Sequence, residues 1–305
     1  MIDTVNLIVK PVQINPTYLL KLQPNPKTYL DHPTGSLKTT YKMYDEQLPY
    51  IVYNDYSQIL IVQVSIPKFL YGNNVYLIQE SDIPLFFHRL SSRLYELFAI
   101  HVKKEDWYVS RIDLCWNFQL GDEVENYIKQ LHGLYIPYMK SKLYGRNETA
   151  THFNDSRYIT FYNKQQECKD HKEPAEIIAK AQGLLRMEVS LSYDEMRKYS
   201  SKRLAIHLIS KAFFIHTFKP SLETIQLPAT IDGLSLEWFK SQSFKLNQIE
   251  SVLSFQALHN WLTDSEVRQL YKPSTYANRK KLSKQIIFPS QRSLRPLAID
   301  FDNLG

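Results

Sequence analysis

Apolar and polar residues alternate over residues 2–9, the period of a strand with one buried face. The same period returns at residues 51–53 and 58–66, either side of the turn-forming Asn54 and Asp55, and predicts a hairpin. At Asp82 and Pro84 the pattern changes to that of a helix start. From there Ile83, Phe86, Phe87, Leu90, Leu94, Leu97 and Phe98 recur at helical spacing, so one amphipathic helix runs to about residue 100. Strands are predicted at 107–118, 157–164 and 184–191, and helices at 122–131 and 165–181, the second interrupted by Pro174. After residue 201 the pattern becomes helical, in segments 202–214, 246–262, 263–271 and 274–285, with Thr263 and Glu266 spaced as a capping box. Pro220 and Pro228 break the pattern between these regimes. The expected architecture is an α+β domain over residues 1–220 followed by a helical domain over 221–305.

Composition removes several classes of protein. Hydrophobic residues make up 44% of the 305 and charged ones 22%, which is ordinary globular usage rather than disordered or fibrous. The longest apolar stretch, 83–100, is broken by Arg89 and Arg93, so no membrane span is expected. The first residues lack the basic region of a secretory signal. Two cysteines, Cys115 and Cys168, cannot build a disulfide framework or a Cys-rich zinc site, and fit a reducing, cytoplasmic setting. The formal charge is +6, unevenly distributed. Residues 272–296 hold Lys272, Arg279, Lys280, Lys281, Lys284, Arg292 and Arg295 and no acid, leaving 30 basic against 31 acidic residues elsewhere. Such a segment suits a polyanion contact; a solvated helix face has the same charge pattern.

Strand alternation also sorts side chains by face. In 107–118, Tyr108, Ile112, Leu114, Trp116 and Phe118 share one side with Ser110, while Arg111, Asp113 and Asn117 share the other. In 184–191, Arg186, Glu188 and Ser190 oppose an apolar side, and in 157–164 Tyr158, Thr160, Tyr162 and Lys164 oppose Ile159 and Phe161. Two arrangements satisfy this pattern. Either an antiparallel sheet has one solvated face laced with cross-strand ion pairs, or neighbouring strands gather a site. In the second case Asp113 and Glu188 supply hard oxygen ligands for Mg²⁺ or Mn²⁺. Tyr162 beside them becomes a nucleophile toward a phosphodiester, activated because a free phenol near pH 10 reacts poorly at neutral pH.

At these residues the sequence resembles the filamentous-phage replication endonuclease family of the gene-two type, shared by related plasmid initiators. The resemblance follows the chain in order: the N-terminal Met-Ile-Asp and strand, YGNNVYLIQESDI, SRIDLCWNF, TATHFNDSRYITFYNK and GLLRMEVSL. It implies a replication-nuclease-like antiparallel sheet and a rolling-circle nickase. Such an enzyme cuts one strand, stays joined to the 5′ phosphate through tyrosine, frees a 3′ hydroxyl primer and later rejoins the displaced strand. Carried onto this chain, the nucleophile falls on Tyr162, with Lys164 beside it, Asp113 and Glu188 as ligands of Mg²⁺ (Mn²⁺ substituting), and Arg111 and Arg186 clamping phosphate or orienting those carboxylates. His152 is either a third metal ligand or a structural histidine. Tyr158 is either a base-stacking platform or a partner in a two-tyrosine mechanism. Many rolling-circle initiators chelate metal with two histidines one residue apart; none of the nine histidines here is so spaced, so a metal site leans on carboxylates.

The resemblance extends to the tail, where 263–271 and 274–285 are similar to a terminal helix-turn-helix. Ser274 is expected to cap the second helix, with Thr275, Tyr276 and Asn278 reaching base edges and Arg279, Lys280, Lys281 and Lys284 holding phosphates. The implied partners are double-stranded origin DNA, the displaced single strand, a host helicase and DNA polymerase, with a transient homodimer and no membrane. The competing function is a non-catalytic origin-binding protein or transcriptional regulator that uses the tail alone.

Overall fold

The computed structural model describes residues 1–145, 148–225, 230–231, 236–259, 262–286, 288, 291–292 and 294–304. Two compact units emerge: Met1–Gln226 together with Pro296–Gly305, and Leu227–Arg295.

The first unit opens with β1 (Ile2–Val9), α1 (Pro16–Leu22), β2 (Lys27–Asp31), β3 (Ser36–Met43), β4 (Tyr50–Asn54) and β5 (Ile59–Ser65). It continues through α2 (Ile66–Tyr71), α3 (Asp82–Phe98), β6 (Tyr108–Gln119), α4 (Val124–Gly133), β7 (Lys140–Tyr144), β8 (Thr149–Phe153) and β9 (Arg157–Asn163). Next come α5 (Lys164–Asp170), α6 (Ala175–Lys180), β10 (Leu184–Leu191), α7 (Tyr193–Tyr199), α8 (Ala205–Leu208) and α9 (Lys211–Glu223). The strands form one ten-stranded sheet in the order β2-β3-β4-β5-β1-β6-β10-β9-β8-β7, antiparallel throughout. This is the expected α+β class.

One face of the central strands is the core: Val5, Leu7, Val62, Val64, Ile112, Leu114, Phe161, Met187 and Val189 are all buried. Each such side chain contributes about 1.5–3 kcal/mol on leaving water. Helix α9 covers part of this face, with Phe214 packed 6.1 Å from Trp116. Two irregularities redirect side chains. Between Ile2 and Val5 the β1–β6 register slips, and it slips again between Asn6 and Leu7, where Ser110 is the extra residue of β6. Beyond that second bulge Val109 pairs with Leu7 on the core side and Tyr108 with Ile8 on the other, the reverse of the strict alternation expected for Tyr108.

Helix 165–181 is two helices, α5 and α6, because the chain turns ahead of Pro174, the N-cap of α6. Pro220 does not end the first unit. It lies in the last turn of α9, which is anchored by buried Phe213, Phe214, Phe218 and Leu222. Pro228 lies outside the described residues. The terminal segment returns to the first unit: Lys211 Nζ donates to the Leu304 carbonyl, and Phe301 lies 6.4 Å from Phe214.

In the second unit, α10 (Leu236–Ser241), α11 (Leu246–His259), α12 (Asp264–Gln269) and α13 (Pro273–Gln285) accompany a strand pair, β11 (Thr230–Ile231) and β12 (Gln291–Arg292). Ile249, Val252 and Ile286 form one small core and Phe255, Val267 and Tyr276 another. Thr263 and Glu266 make the expected capping box. Helix α13 starts earlier than expected: Pro273 is its first residue and Lys272 its N-cap, so Ser274 is not the cap. Among the described residues no helix is long and apolar enough to cross a membrane.

Candidate active site on the polar face of the sheet

Residues paired directly across antiparallel strands share a face, so the register assembles the site. Arg186 is opposite Asn117 on one side and Tyr162 on the other; Glu188 is opposite Cys115 and Thr160; Ser190 is opposite Asp113 and Tyr158. Tyr162, Glu188, Asp113, Arg186 and Tyr158 therefore occupy one face, as the alternation predicts. The phenol of Tyr162 donates to Glu188 Oε1 at 2.6 Å. Both side chains are half-buried. Burial, then the Glu188 charge, holds the Tyr162 phenol well above its ordinary value. Burial, then the charge of Asp3, pushes the Glu188 carboxyl up to about 7.

Asp3 was not among the expected site residues. The bulge in β1 turns it toward this face, where it accepts from Ser65 Oγ at 2.8 Å and faces Arg186 Nη1 at 3.5 Å. The signal in the sequence is an acid at position 3, on the side that Val5, Leu7 and Val9 of the first strand give to the core. Asn74 was missed as well. Its carbonyl accepts from Arg186 Nη2, and its Oδ1 accepts from Lys164 Nζ at 2.9 Å. Asn117 ties the same layer together, accepting from Arg186 Nε and donating to the Val75 carbonyl, both at 2.8 Å. The loop after α2 is thus stitched over one end of the polar face by Asn74 and Val75.

Those contacts revise several expectations. Arg186 is fully buried, so it orients Asp3, Asn117 and the loop and cannot clamp phosphate. Lys164 is fully buried too; it pairs with Glu167 at 2.6 Å and lies 5.8 Å from the centre of the Tyr162 ring, supporting the ring rather than the phenol oxygen. His152 stands on the opposite, core face of the sheet, opposite Ile159. Its Nε2 is 2.6 Å from the Leu131 carbonyl, and burial lowers its affinity for a proton. It is a structural histidine and no ligand of a metal beside Tyr162. Arg111 is 55% exposed and binds Asp113 through Nη2 at 2.9 Å, so it alone of the two arginines can meet a phosphate. Tyr158 is 52% exposed and stacks on Phe153 with ring centres 5.6 Å apart.

Metal ligation can be tested on the donors. Asp3, Asp113 and Glu188 offer only hard oxygens, and their crowding on one face is what a cation would relieve. Glu188 and Asp113 are diagonal neighbours across β10 and β6, about 7–8 Å apart or somewhat less, within reach of each other's side chains. Among the described residues no three His, Cys, Asp or Glu side chains are already converged into a cage. Asp113 is occupied by Arg111 and by Ser190 Oγ at 2.6 Å.

The tail residues separate into two groups. Tyr276 is buried against Phe255 and Val267, and its hydroxyl donates to Asp264, so it holds the helices together and cannot reach a base. Arg279 packs over the Tyr271 ring and donates to its hydroxyl at 2.8 Å, while Lys280 lies 3.4 Å from Asp264. Thr275, Asn278, Lys281 and Lys284 are exposed on α13. The side chain of Arg292 lies outside the described residues.

A family described as the N-terminal part of the gene II replication-associated protein matches residues 1–231, which contain the whole polar face. A replication initiation protein of Staphylococcus aureus is 27% identical over 192 residues, covering 60% of this chain. The match covers 55% of that relative, so the chain spans about half its length.

Proposed function

The chain belongs to the gene II replication-associated protein N-terminal family, a family of replication initiators, and from that premise we propose that it nicks one DNA strand by transesterification at Tyr162. The observation that carries the proposal is the 2.6 Å hydrogen bond from the half-buried Tyr162 phenol to Glu188. A phenol held in this way is aimed and has a base at hand. As the Tyr162 oxygen bonds to phosphorus, its proton passes to Glu188 Oε1. The bond from phosphorus to the 3′ oxygen breaks, and that oxygen leaves as a hydroxyl after taking a proton from solvent. The 5′ phosphate stays on Tyr162, and the 3′ hydroxyl serves as a primer. Reversal by a second 3′ hydroxyl rejoins the strand.

Burial holds the phenol well above its ordinary value, so its proton leaves in the step in which the oxygen bonds to phosphorus. Asp113 and Glu188, with Asp3 rather than His152 as the third donor, would hold Mg²⁺ or Mn²⁺. When bound, such an ion supplies charge neutralisation at the phosphoryl oxygens. Arg111 meets a backbone phosphate by exchanging one of its contacts with Asp113. Tyr158 on Phe153 offers a stacking surface for a base. In the second unit Thr275 and Asn278 face base edges of the origin duplex, and Lys281 and Lys284 hold phosphates. Helicase, polymerase and a transient second copy complete the proposed set of partners.

The test is conversion of the supercoiled replicon to open circles with divalent cation present. Wild type nicks, Tyr162→Phe does not, and both bind the same DNA equally. Equal nicking by Tyr162→Phe would move the nucleophile to another residue, and no nicking by either protein with binding intact would leave a DNA-binding regulator as the function.

A further inference from the structure

Away from Tyr162, the same open face carries a second depression of about 580 Å³ over β5, β1 and β6, closed on one side by α7 and the turn after it. Its floor is apolar: Ile8, Ile59 and Ile61 stand on the side of the sheet that elsewhere bears polar groups, each only half-buried. The bulge at Ser110 turns Tyr108 into this floor, in register with Ile8, which is itself in register with Ile61. Tyr193 forms a wall. It is 49% exposed, with the Arg203 guanidinium 3.6 Å from its ring centre; Arg203 in turn donates to the Val109 carbonyl, so the ring rests on a fixed support. Lys10, Arg197 and Lys202 line the rim, and no lining residue is acidic.

An apolar and aromatic floor inside a wholly basic rim has the chemistry of a nucleotide with an unpaired base: a π face to stack and a phosphate to neutralise. Duplex DNA does not offer its base faces, so a duplex cannot use this floor. We propose that this depression binds a nucleotide of the single strand whose scissile phosphate lies at Tyr162, an inference that rests on the proposed nicking role for its strand assignment. The placement fits. Tyr108 lies nine positions before Asn117, which is in register with Tyr162 through Arg186. At about 3.3 Å per residue and two strands across, the depression is roughly 25–30 Å from Tyr162. That is about eight nucleotides at the stacked rise of about 3.4 Å, or about four if the strand is pulled to twice that rise. Between the two points the face presents Arg111, with the Tyr158–Phe153 stack beside the line on β9 and β8; these suit a continuous strand and would have no part in binding a free nucleotide.

The test uses the full chain with Tyr162→Phe, so that no cleavage intervenes, and fluorescent oligothymidylates from about 2 to about 20 nucleotides. Binding should strengthen in a step once the oligomer reaches the span, and thymidine monophosphate should compete poorly. Tyr193→Ala and the surface substitution Lys202→Glu should each weaken the long oligomer at least about tenfold with unchanged thermal melting, and leave the shortest little affected. An oligomer carrying 5-iodouracil should photo-cross-link to the peptides of Tyr108 or Tyr193. Unaltered affinity in both variants, cross-links confined to other peptides, or monophosphate competing as well as the strand would overturn the proposal. The outcomes separate the two claims. Groove binding without a Tyr162 adduct in the parent protein removes the nicking role and keeps the groove, whereas an adduct with indifferent groove variants does the reverse.

Discussion

Tyr162 is held at both ends: its phenol donates to Glu188, and its ring lies near the buried ammonium of Lys164. Lys164 answers Glu167 and Asn74, so it fixes the start of α5 and the loop over the site together. Truncating it strands a carboxylate and an amide, and Lys164→Ala should lower stability by about 3 kcal/mol or more, read by urea denaturation. Glu188 makes a sharper prediction because its carboxyl is pushed up to about 7 by burial and by Asp3. A carboxyl raised in the folded state contributes stability that is full below its ordinary value and lost as pH rises through about 7. In metal-free protein at pH 8, Glu188→Gln should therefore melt above wild type, with the gap shrinking toward pH 5. Adding Mg²⁺ at pH 8 should raise the melting temperature of wild type and not of the variant. A Glu188→Gln protein no more stable at pH 8 than wild type would contradict the electrostatic account.

At the scale of elements, the site depends on register. Gly183, immediately before β10, has φ +69°, and a Cβ there would come within 2.7 Å of Gly121 Cα. Leu120 N–H also donates to its carbonyl at 2.8 Å, so the entry to β10 is clamped against the end of β6. Gly183→Ala should cost more than about 1–2 kcal/mol from the left-handed backbone alone, with further loss from the clash. The measurement is the denaturation midpoint. Alternation made β1, β6, β9 and β10 legible because each has one buried and one polar side, and the same rule brought Asp113, Tyr162 and Glu188 to one face. It could not find β2 or β7, whose residues are almost all exposed and carry no periodic signal. Nor did it find the two bulges, which flip Asp3 and Tyr108 against strict alternation; Asp3 at a core-side position is the mark of the first, and the second leaves none. His152 shows the opposite failure. Its residue type suited a ligand, and only pairing with Ile159 reveals which way it faces. Tyr276 and Arg279 likewise looked free on a basic helix and are instead its internal supports.

Across the whole molecule the two units carry different tasks in this account, with chemistry on the sheet and duplex recognition on α13. If Lys281 and Lys284 hold phosphates, replacing both by Gln should weaken duplex binding for every sequence alike. It should also reduce the slope of log affinity against log salt by about 0.9 for each phosphate no longer held. Covalent attachment to a pre-melted single strand should survive those replacements. The basic excess in 272–296 was legible from composition, while the strand groove beside Tyr193 was not, because its cations come from Lys10 and from residues 197–203, far apart in the chain. Covalent attachment of DNA, in this reading, goes through one oxygen atom, the phenol of Tyr162. Purified protein, divalent cation and the supercoiled replicon carrying its gene, followed by nuclease digestion and denaturing electrophoresis, should give a nucleotide-bearing protein band that maps to the peptide of Tyr162. Tyr162→Phe should give none. A band of equal strength in Tyr162→Phe, or one mapping to Tyr158 or another residue, would contradict the account.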